Sequence, residues 1–312
     1  MINKNAILSF LDCYQLADAK SEPISNGLSS LAFMITHKSK KYVLKIYNKN
    51  SNIETEVQFG NYLHNEGVPA AKIIKNSKGR LISVIDGLSG ALFEFCDGEP
   101  IKWGGISSVF SENLAGIAAK MHLLMLDNAQ IPGKDYHGCE ISRAAGLSNI
   151  KIIQKREEIS DAVKNLVFSD LRRGLIHGDL TRQNILAAKD RNKVDAIIDF
   201  GDAHYDYLAW DLSVLITHIF ITKTYGIDWK ALSAFIKKYY SLFPLTEQEI
   251  DAIIPFMKIR NLNLAIEVDC LASTNDKNIE ELISIENSVM KKLDIIKSDQ
   301  KRLLELLKNH PD

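Results

Sequence analysis

The chain has 312 residues, 46% hydrophobic and 25% charged, with a formal net charge of −1. That is the profile of a globular protein of one large or two ordinary domains, and it excludes a chain disordered by composition or one led by a basic field for nucleic acid. The four cysteines, Cys13, Cys96, Cys139 and Cys270, are scattered without a Cys-x-x-Cys pair and read as reduced thiols of a cytoplasmic protein. The opening residues are interrupted by polar side chains and do not read as a signal peptide. The most apolar run, residues 212–221, contains Thr217 and His218 and is too short to span a bilayer. Neither nucleic acid nor a membrane is therefore an expected partner; the oligomeric state stays open.

The first hundred residues read as strands with one helix inserted. Ile7, Leu8, Leu11 and Tyr14 mark a short amphipathic helix, and residues 31–36 and 42–47 form a hairpin. On the second strand Tyr42, Leu44 and Ile46 share one face, and Val43, Lys45 and Tyr47 the other, so Lys45 is a lone cation among apolar neighbours. Residues 53–66 predict a helix with Ile53, Val57, Gly60 and Leu63 on one stripe, stopped by Gly67 and Pro69. Glu56 lies beside that stripe and can turn inward toward Lys45, with Glu54 as its rival. Strands over 72–75, 80–86 and 91–95 complete a small antiparallel sheet. Gly and Pro then cluster, which puts a hinge at about residues 93–98.

The rest reads as mostly helical. Helices are expected over 109–125, near 141–153 and 156–172, over 206–222 and 229–240, from Thr246, and over 278–307. Thr246-Glu-Gln-Glu249 is a capping box, and Pro255 is expected to kink or end the helix it opens. Between these helices lies His177-Gly178-Asp179-Leu-Thr-Arg-Gln-Asn184, followed by Ile-Ile-Asp199-Phe200-Gly201-Asp202. Apolar runs enter both segments, and the polar turn at 189–193 joins them as a hairpin. Asp179, Asn184 and Asp199 thus meet at the mouth of a small sheet. Two carboxylates held close need a cation between them, and Mg²⁺ favours such oxygen ligands with substrate phosphates completing its shell.

These residues carry a family resemblance. Four stretches contribute: Tyr42-Val-Leu-Lys45; Glu56 with Leu63 and Gly67-Val-Pro69; Leu114 with Met121-His122; and the two segments above running on to Trp210-Asp211-Leu. The chain resembles the aminoglycoside phosphotransferase/choline kinase superfamily, small-molecule kinases built on the protein-kinase fold. The resemblance implies an α+β, bilobal fold: an antiparallel-sheet lobe with one key helix at residues 1–95, and a mainly helical lobe carrying a catalytic hairpin at 96–312. It implies ATP and Mg²⁺ as cofactors, Asp179 as catalytic base, and Asn184 and Asp199 as metal ligands. It selects Glu56 over Glu54 as partner of Lys45 in holding the nucleotide phosphates. Phe93, Glu94, Phe95 and Cys96 become the adenine-contacting hinge. The phosphate loop, Ser25-Asn26-Gly27-Leu28-Ser29-Ser30, has one glycine where protein kinases show three, so Asn26, Gly27, Ser29 and Ser30 are its binding residues. His122 and Asp211 read as structural, Asp211 bracing the catalytic loop.

A protein acceptor is disfavoured. Gly178 stands where many protein kinases carry arginine and Thr181 where serine/threonine kinases carry lysine. No activation segment fits between Asp202 and Trp210. The run from Phe200 to Asp211 looks like type II homoserine kinases and hydroxylysine kinases, pointing to a small-molecule alcohol, an amino alcohol or hydroxy amino acid. Asp202, Tyr205, Tyr207 and Arg260 are the candidate substrate residues, Arg260 as a fork for a substrate carboxylate. Tyr205, Tyr207 and Trp210 are the aromatics available to cage a choline-type acceptor. The alternatives are an aminoglycoside phosphotransferase, with Asp202, Asp206, Glu267 and Asp269 supplying an acidic cleft, and a kinase-fold binding or regulatory protein without turnover.

Overall fold

Alternating hydrophobicity at residues 30–47 builds the centre of an antiparallel sheet. The computed structural model describes residues 4–26, 30–47, 52–103, 105–126, 131–135, 149–163, 166, 168–273 and 279–309. Helix α1 (Lys4–Cys13) precedes strands β1 (Lys20–Asn26), β2 (Ser30–His37) and β3 (Lys40–Tyr47). Helix α2 (Ile53–Asn65), β4 (Ile73–Ile74), β5 (Ser83–Ile85) and β6 (Leu88–Glu94) follow. The sheet order is β1-β2-β3-β6-β4, with β5 also on β6. Leu44 and Ile46 of β3 bury against Phe10 and Leu11 of α1, while Tyr47 packs with Val57 of α2, Ala91 and Phe93 on the opposite face. Lys45 emerges on that second face, toward α2.

Strand β1 was not legible from hydropathy. Its sequence, Lys-Ser-Glu-Pro-Ile-Ser-Asn, is polar and contains Pro23, yet it pairs with β2 along its length. An edge position tolerates proline, because the missing N–H falls on the unpaired side, and the register shifts between Pro23 and Ser25.

Beyond β6 the chain forms β7 (Glu99–Pro100), α3 (Ser108–Met125), α4 (Ile150–Val163), β8 (Arg173–Ile176), β9 (Ile185–Ala187), β10 (Val194–Ile197) and β11 (His204–Tyr207). Helices α5 (Leu208–Phe220), α6 (Trp229–Leu242), α7 (Glu247–Ser273), α8 (Ile279–Ser298) and α9 (Gln300–Lys308) complete it. Strand β9 pairs with both β10 and β7, and β11 pairs with β8. The α+β architecture expected from the sequence is the one observed. No helix among the described residues is long and apolar enough to cross a membrane.

Several boundaries differ from expectation. Residues 141–148, most of the first helix expected over 141–153, lie outside the described residues; among the described residues of 141–172, α4 spans 150–163, and a 3-10 turn at Phe168–Asp170 leads into β8. Asp206 and Tyr207, expected to open a helix, instead end strand β11 (204–207), because β8 offers it an antiparallel partner. The C-terminal stretch divides into α8 and α9 at Asp299.

Pro255 does not end its helix. Helix α7 runs through it for 27 residues. Ile253, Ile254, Phe256 and Met257 are all buried around the proline. At about 1.5–3 kcal/mol for each buried side chain, that packing outweighs the ~3 kcal/mol an interior proline costs. The capping box at its start forms as read: Glu249 N–H donates to Thr246 Oγ1 (3.2 Å), and Thr246 N–H donates to Glu249 Oε2 (2.9 Å). Glu249 is also gripped by Arg172, whose Nε and NH2 donate to its two oxygens at 2.8 and 2.6 Å.

Candidate active site

The loop after β8 is held from beneath by one buried carboxylate. Asp211, in the first turn of α5, is fully buried and accepts hydrogen bonds from His177 N–H (3.1 Å) and Gly178 N–H (3.0 Å). His122 of α3 approaches the same carboxylate at 3.4 Å through Nε2, and its Nδ1 meets the Tyr239 hydroxyl at 2.6 Å. Burial opposes a charge on Asp211, but these donors outweigh it and hold the carboxyl below its usual range.

Gly178 has φ of +79°, and a Cβ there would lie 2.6 Å from the Asp202 carbonyl oxygen and 2.8 Å from the His204 ring. This is the physical reason no arginine stands at 178: the backbone leaves no space for a side chain. Gly178→Ala is expected to destabilise the protein by about 2–4 kcal/mol, from left-handed strain plus a backbone clash, and to lower kcat more than tenfold. Thermal unfolding and steady-state rates check it; a variant with wild-type Tm and kcat contradicts it.

One turn on, Asp179 sits between two donors. Asn184 Nδ2 donates to the Asp179 backbone oxygen (2.9 Å) and to its Oδ2 (2.8 Å), and Arg260 NH2 of α7 donates to Oδ1 (3.1 Å). With both amide hydrogen bonds given to Asp179, the amide oxygen of Asn184 is not used in either of them. His177 links this loop to the next. Its Nε2 is 3.0 Å from the Ile198 carbonyl oxygen, and Asp179 N–H donates to its Nδ1 at 3.3 Å. The ring thereby ties the backbone at 179 to the residue before Asp199.

Asp199 has φ of +66°, a strained left-handed conformation at the end of the hairpin. Lys45 Nζ bridges Glu56 Oε1 (2.6 Å) and Asp199 Oδ1 (2.7 Å). Glu56 is the partner and buried; Glu54 is not. Burial disfavours charge on both Lys45 and Asp199. Their attraction wins, so Lys45 is held above its usual range and Asp199 below. Asp202 goes the other way. Burial and the carboxylates of Asp179 and Asp199 push it up. Asp179 and Asp199 thus both lie close enough to act on Asp202, although among the described residues no group of three or more His, Cys, Asp or Glu side chains is arranged to hold a metal ion. The carboxylate of Asp199 and the amide oxygen of Asn184 are of the hard-oxygen type that Mg²⁺ favours. Phe200 couples the lobes: its ring meets Phe59 of α2 at 5.2 Å and His177 at 4.8 Å.

The remaining sequence candidates are distributed unevenly. Ser30 is buried on β2 opposite Tyr47, and Asn26 pairs with Leu31; Gly27 and Ser29 lie outside the described residues. Phe93 is buried on β6 with the Lys45 ammonium 5.8 Å from its ring, and Glu94 and Phe95 lead out of that strand. Burial and neighbouring acids push the Cys96 thiol up to about 11. Tyr205 and Tyr207 do not face the Asp179–Asp199 cluster as available rings. Tyr205 donates its hydroxyl to the Ile131 carbonyl oxygen (3.1 Å), and Tyr207 is buried with its ring near Phe168 and Phe256. Nor do the acids at 206, 267 and 269 gather into a cleft: Asp206 is buried against Tyr207 N–H, Asp269 faces Asn149, and Glu267 is exposed. Asp206 and Asp269 lie on buried faces of β11 and α7, whereas Glu267 lies on the exposed side of α7. A groove of about 460 Å³, bounded by Ile101, Trp103, Phe110 and Ala188, shares no residue with the cluster.

Sequence reading missed three contributors. His177 was quoted only as part of a motif, and its two hydrogen bonds depend on a turn visible only in the fold. Asn52 donates from Nδ2 to the Ala203 carbonyl oxygen (2.9 Å), tying the start of α2 to the segment after Asp202. Lys292 of α8 is the third; its signal, a lysine on the apolar stripe of Val289, Leu293 and Ile296, was present in the sequence.

Comparison with known proteins places this geometry. The profile of a family described as "Phosphotransferase enzyme family" matches residues 20–231. Homoserine kinase of Zymomonas mobilis is 27% identical over 274 residues, covering 82% of this chain and 83% of the relative. Homoserine kinase of Methylobacillus flagellatus is 23% identical over 235 residues, covering 72% of each. Among solved structures, a microcompartment-associated aminopropanol kinase superposes with TM-score 0.74 at 15% identity, covering 97% of this chain and 100% of the other. An amicoumacin kinase superposes with TM-score 0.72 at 15% identity, covering 95% and 94%. The chain belongs to the phosphotransferase enzyme family and is a small-molecule kinase with a protein-kinase-like fold.

Proposed function

We propose that this kinase moves the γ-phosphate of ATP to the hydroxyl of a small hydroxy amino acid or amino alcohol, of which homoserine is the representative. The observation that carries the proposal is the Asp179 carboxylate, held by Asn184 and Arg260 beside an Asp199 gripped by Lys45. In this reading Asp179 orients the acceptor hydroxyl and takes its proton late, since a loose transition state does not require an alkoxide beforehand. Asn184 and Asp199 hold Mg²⁺, which when bound neutralises charge on the phosphates. Lys45, fixed by Glu56, meets the nucleotide phosphates, and the backbone at 93–96 meets the base. The boundary between lobes falls at residues 95 and 96, and the enzyme works in the cytoplasm.

Two considerations favour a hydroxy amino acid or amino alcohol over an aminoglycoside. The relatives reported above are named homoserine kinases, and one neighbour an aminopropanol kinase. A polycationic drug would also meet Arg260, 3.1 Å from Asp179, where like charge opposes it. The test is Mg²⁺- and ATP-dependent ADP release on homoserine, hydroxylysine, choline, methylthioribose and aminoglycosides. Release is expected with a hydroxy amino acid or amino alcohol. Thermal stabilisation by ATP without acceptor-dependent ADP release across the panel would instead indicate a binding protein without turnover.

A further inference from the structure

Homoserine and 3-aminopropan-1-ol carry the same hydroxyl and amine and differ by one carboxylate. The surroundings of Arg260 bear on that difference. Helix α8 buries Val289, Leu293 and Ile296, and Lys292 lies on the same stripe, only 6% exposed. Among the described residues its ammonium makes no hydrogen bond or ion pair. The charged groups acting on it are Arg260 and Arg182, both cations. Burial and these two guanidiniums bring it down to about 8, so it still carries its charge at neutral pH. His218, which faces Lys292, Arg260 and Arg182, is held well below its usual range and adds no anion.

The two arginines are not equivalent. Arg182 spends its donors on the backbone oxygens of His218, Lys102 and Ile219, and its guanidinium lies 4.6 Å from the Trp103 ring centroid. Arg260 gives NH2 to Asp179, while its buried Nε has no partner. A buried ammonium without a hydrogen bond or ion pair among the described residues therefore stands near Arg260, which is paired through NH2 with the candidate base and keeps a buried, unsatisfied Nε. An unpaired buried charge is among the costlier features a fold can hold, and a bound anion removes that cost.

We infer that Lys292, together with the open donors of Arg260, receives the carboxylate of the acceptor, so that the substrates are hydroxy amino acids rather than amino alcohols. The inference rests on the kinase reading above. A nucleotide phosphate is the competing anion. It is disfavoured because Lys45 serves the Asp199 side of the cluster, whereas Arg260 reaches Asp179.

The experiment compares wild type, Lys292→Met and Lys292→Arg in the full chain. Substrates are the hydroxy amino acid turned over fastest and its decarboxylated counterpart, 3-aminopropan-1-ol in the case of homoserine. Wild type is expected to prefer the amino acid by about 100-fold in kcat/KM, the scale of a buried charge contact. Lys292→Met is expected to lose about 100-fold on the amino acid and less than about fivefold on the amino alcohol. Lys292→Arg recovers part of the loss. Because methionine removes an unpaired buried charge, the Tm of ligand-free Lys292→Met rises, whereas loss of a purely structural contact lowers it. Equal losses on both substrates, a raised KM for ATP in place of the acceptor effect, a lowered Tm, or a wild type that uses both alcohols equally overturns the inference and leaves the kinase reading standing. Wild type inactive on every alcohol is the failure of the kinase reading, and takes this inference with it.

Discussion

Replacing Asp179 by asparagine is expected to lower kcat about 10³-fold, within the 10²–10⁴ range that a positioned general base contributes. The KM for nucleotide should stay within about threefold, because Lys45 and Glu56, the pair proposed to meet the phosphates, bond to each other and to Asp199 and make no hydrogen bond or ion pair with the Asp179 side chain among the described residues. Asparagine keeps the shape and one oxygen for Arg260, while its amide N–H groups face the donating Asn184 Nδ2, so the Tm is measured alongside to separate a loss of chemistry from a loosened loop. Steady-state kinetics over both substrates decide the matter. A variant within tenfold of wild-type kcat removes Asp179 from the role assigned to it.

The second large effect is on stability. Asp211 carries two backbone N–H groups and faces His122, all out of water. Asparagine at that position has one acceptor oxygen and turns N–H groups toward a neighbour that also donates. At about 1–3 kcal/mol for each buried group left unsatisfied, Asp211→Asn should cost about 3–5 kcal/mol. For a chain of this size that lowers Tm by roughly 10 °C. Activity should fall as well, because residues 177 and 178 lead directly into Asp179. Calorimetry and rate measurement on the same preparation test both halves. Unchanged Tm with reduced kcat contradicts the bracing role and makes Asp211 a participant in the chemistry.

The cluster proposed to be catalytic was legible because its spacing is local. Asp179 and Asn184 lie within one loop, and Asp199 ends the next strand of a hairpin whose apolar runs and polar turn are plain in the sequence. Lys45 was legible as the polar exception on an alternating strand. What hydropathy did not resolve were elements whose state depends on a distant partner. Strand β1 is polar and acquires its conformation from β2. Strand β11 reads as the start of a helix until β8 pairs with it. Pro255 reads as a stop, but buried neighbours on both sides carry the helix through. Tyr205 and Tyr207 read as available rings, and packing consumed them.

By itself the amino-acid sequence determined the fold class, through the resemblance its four motif stretches carry, and the hairpin and the candidate acid, amide and lysine, which are written in short-range period and spacing. Only the tertiary structure decided which of two glutamates faces Lys45, why position 178 admits no side chain, and that Lys292 is buried near two arginines with no ion pair of its own among the described residues. Those outcomes depend on contacts between α2, the 178–202 turns, α7 and α8, which are far apart in the chain and are set by how buried faces pack, a property no local pattern encodes.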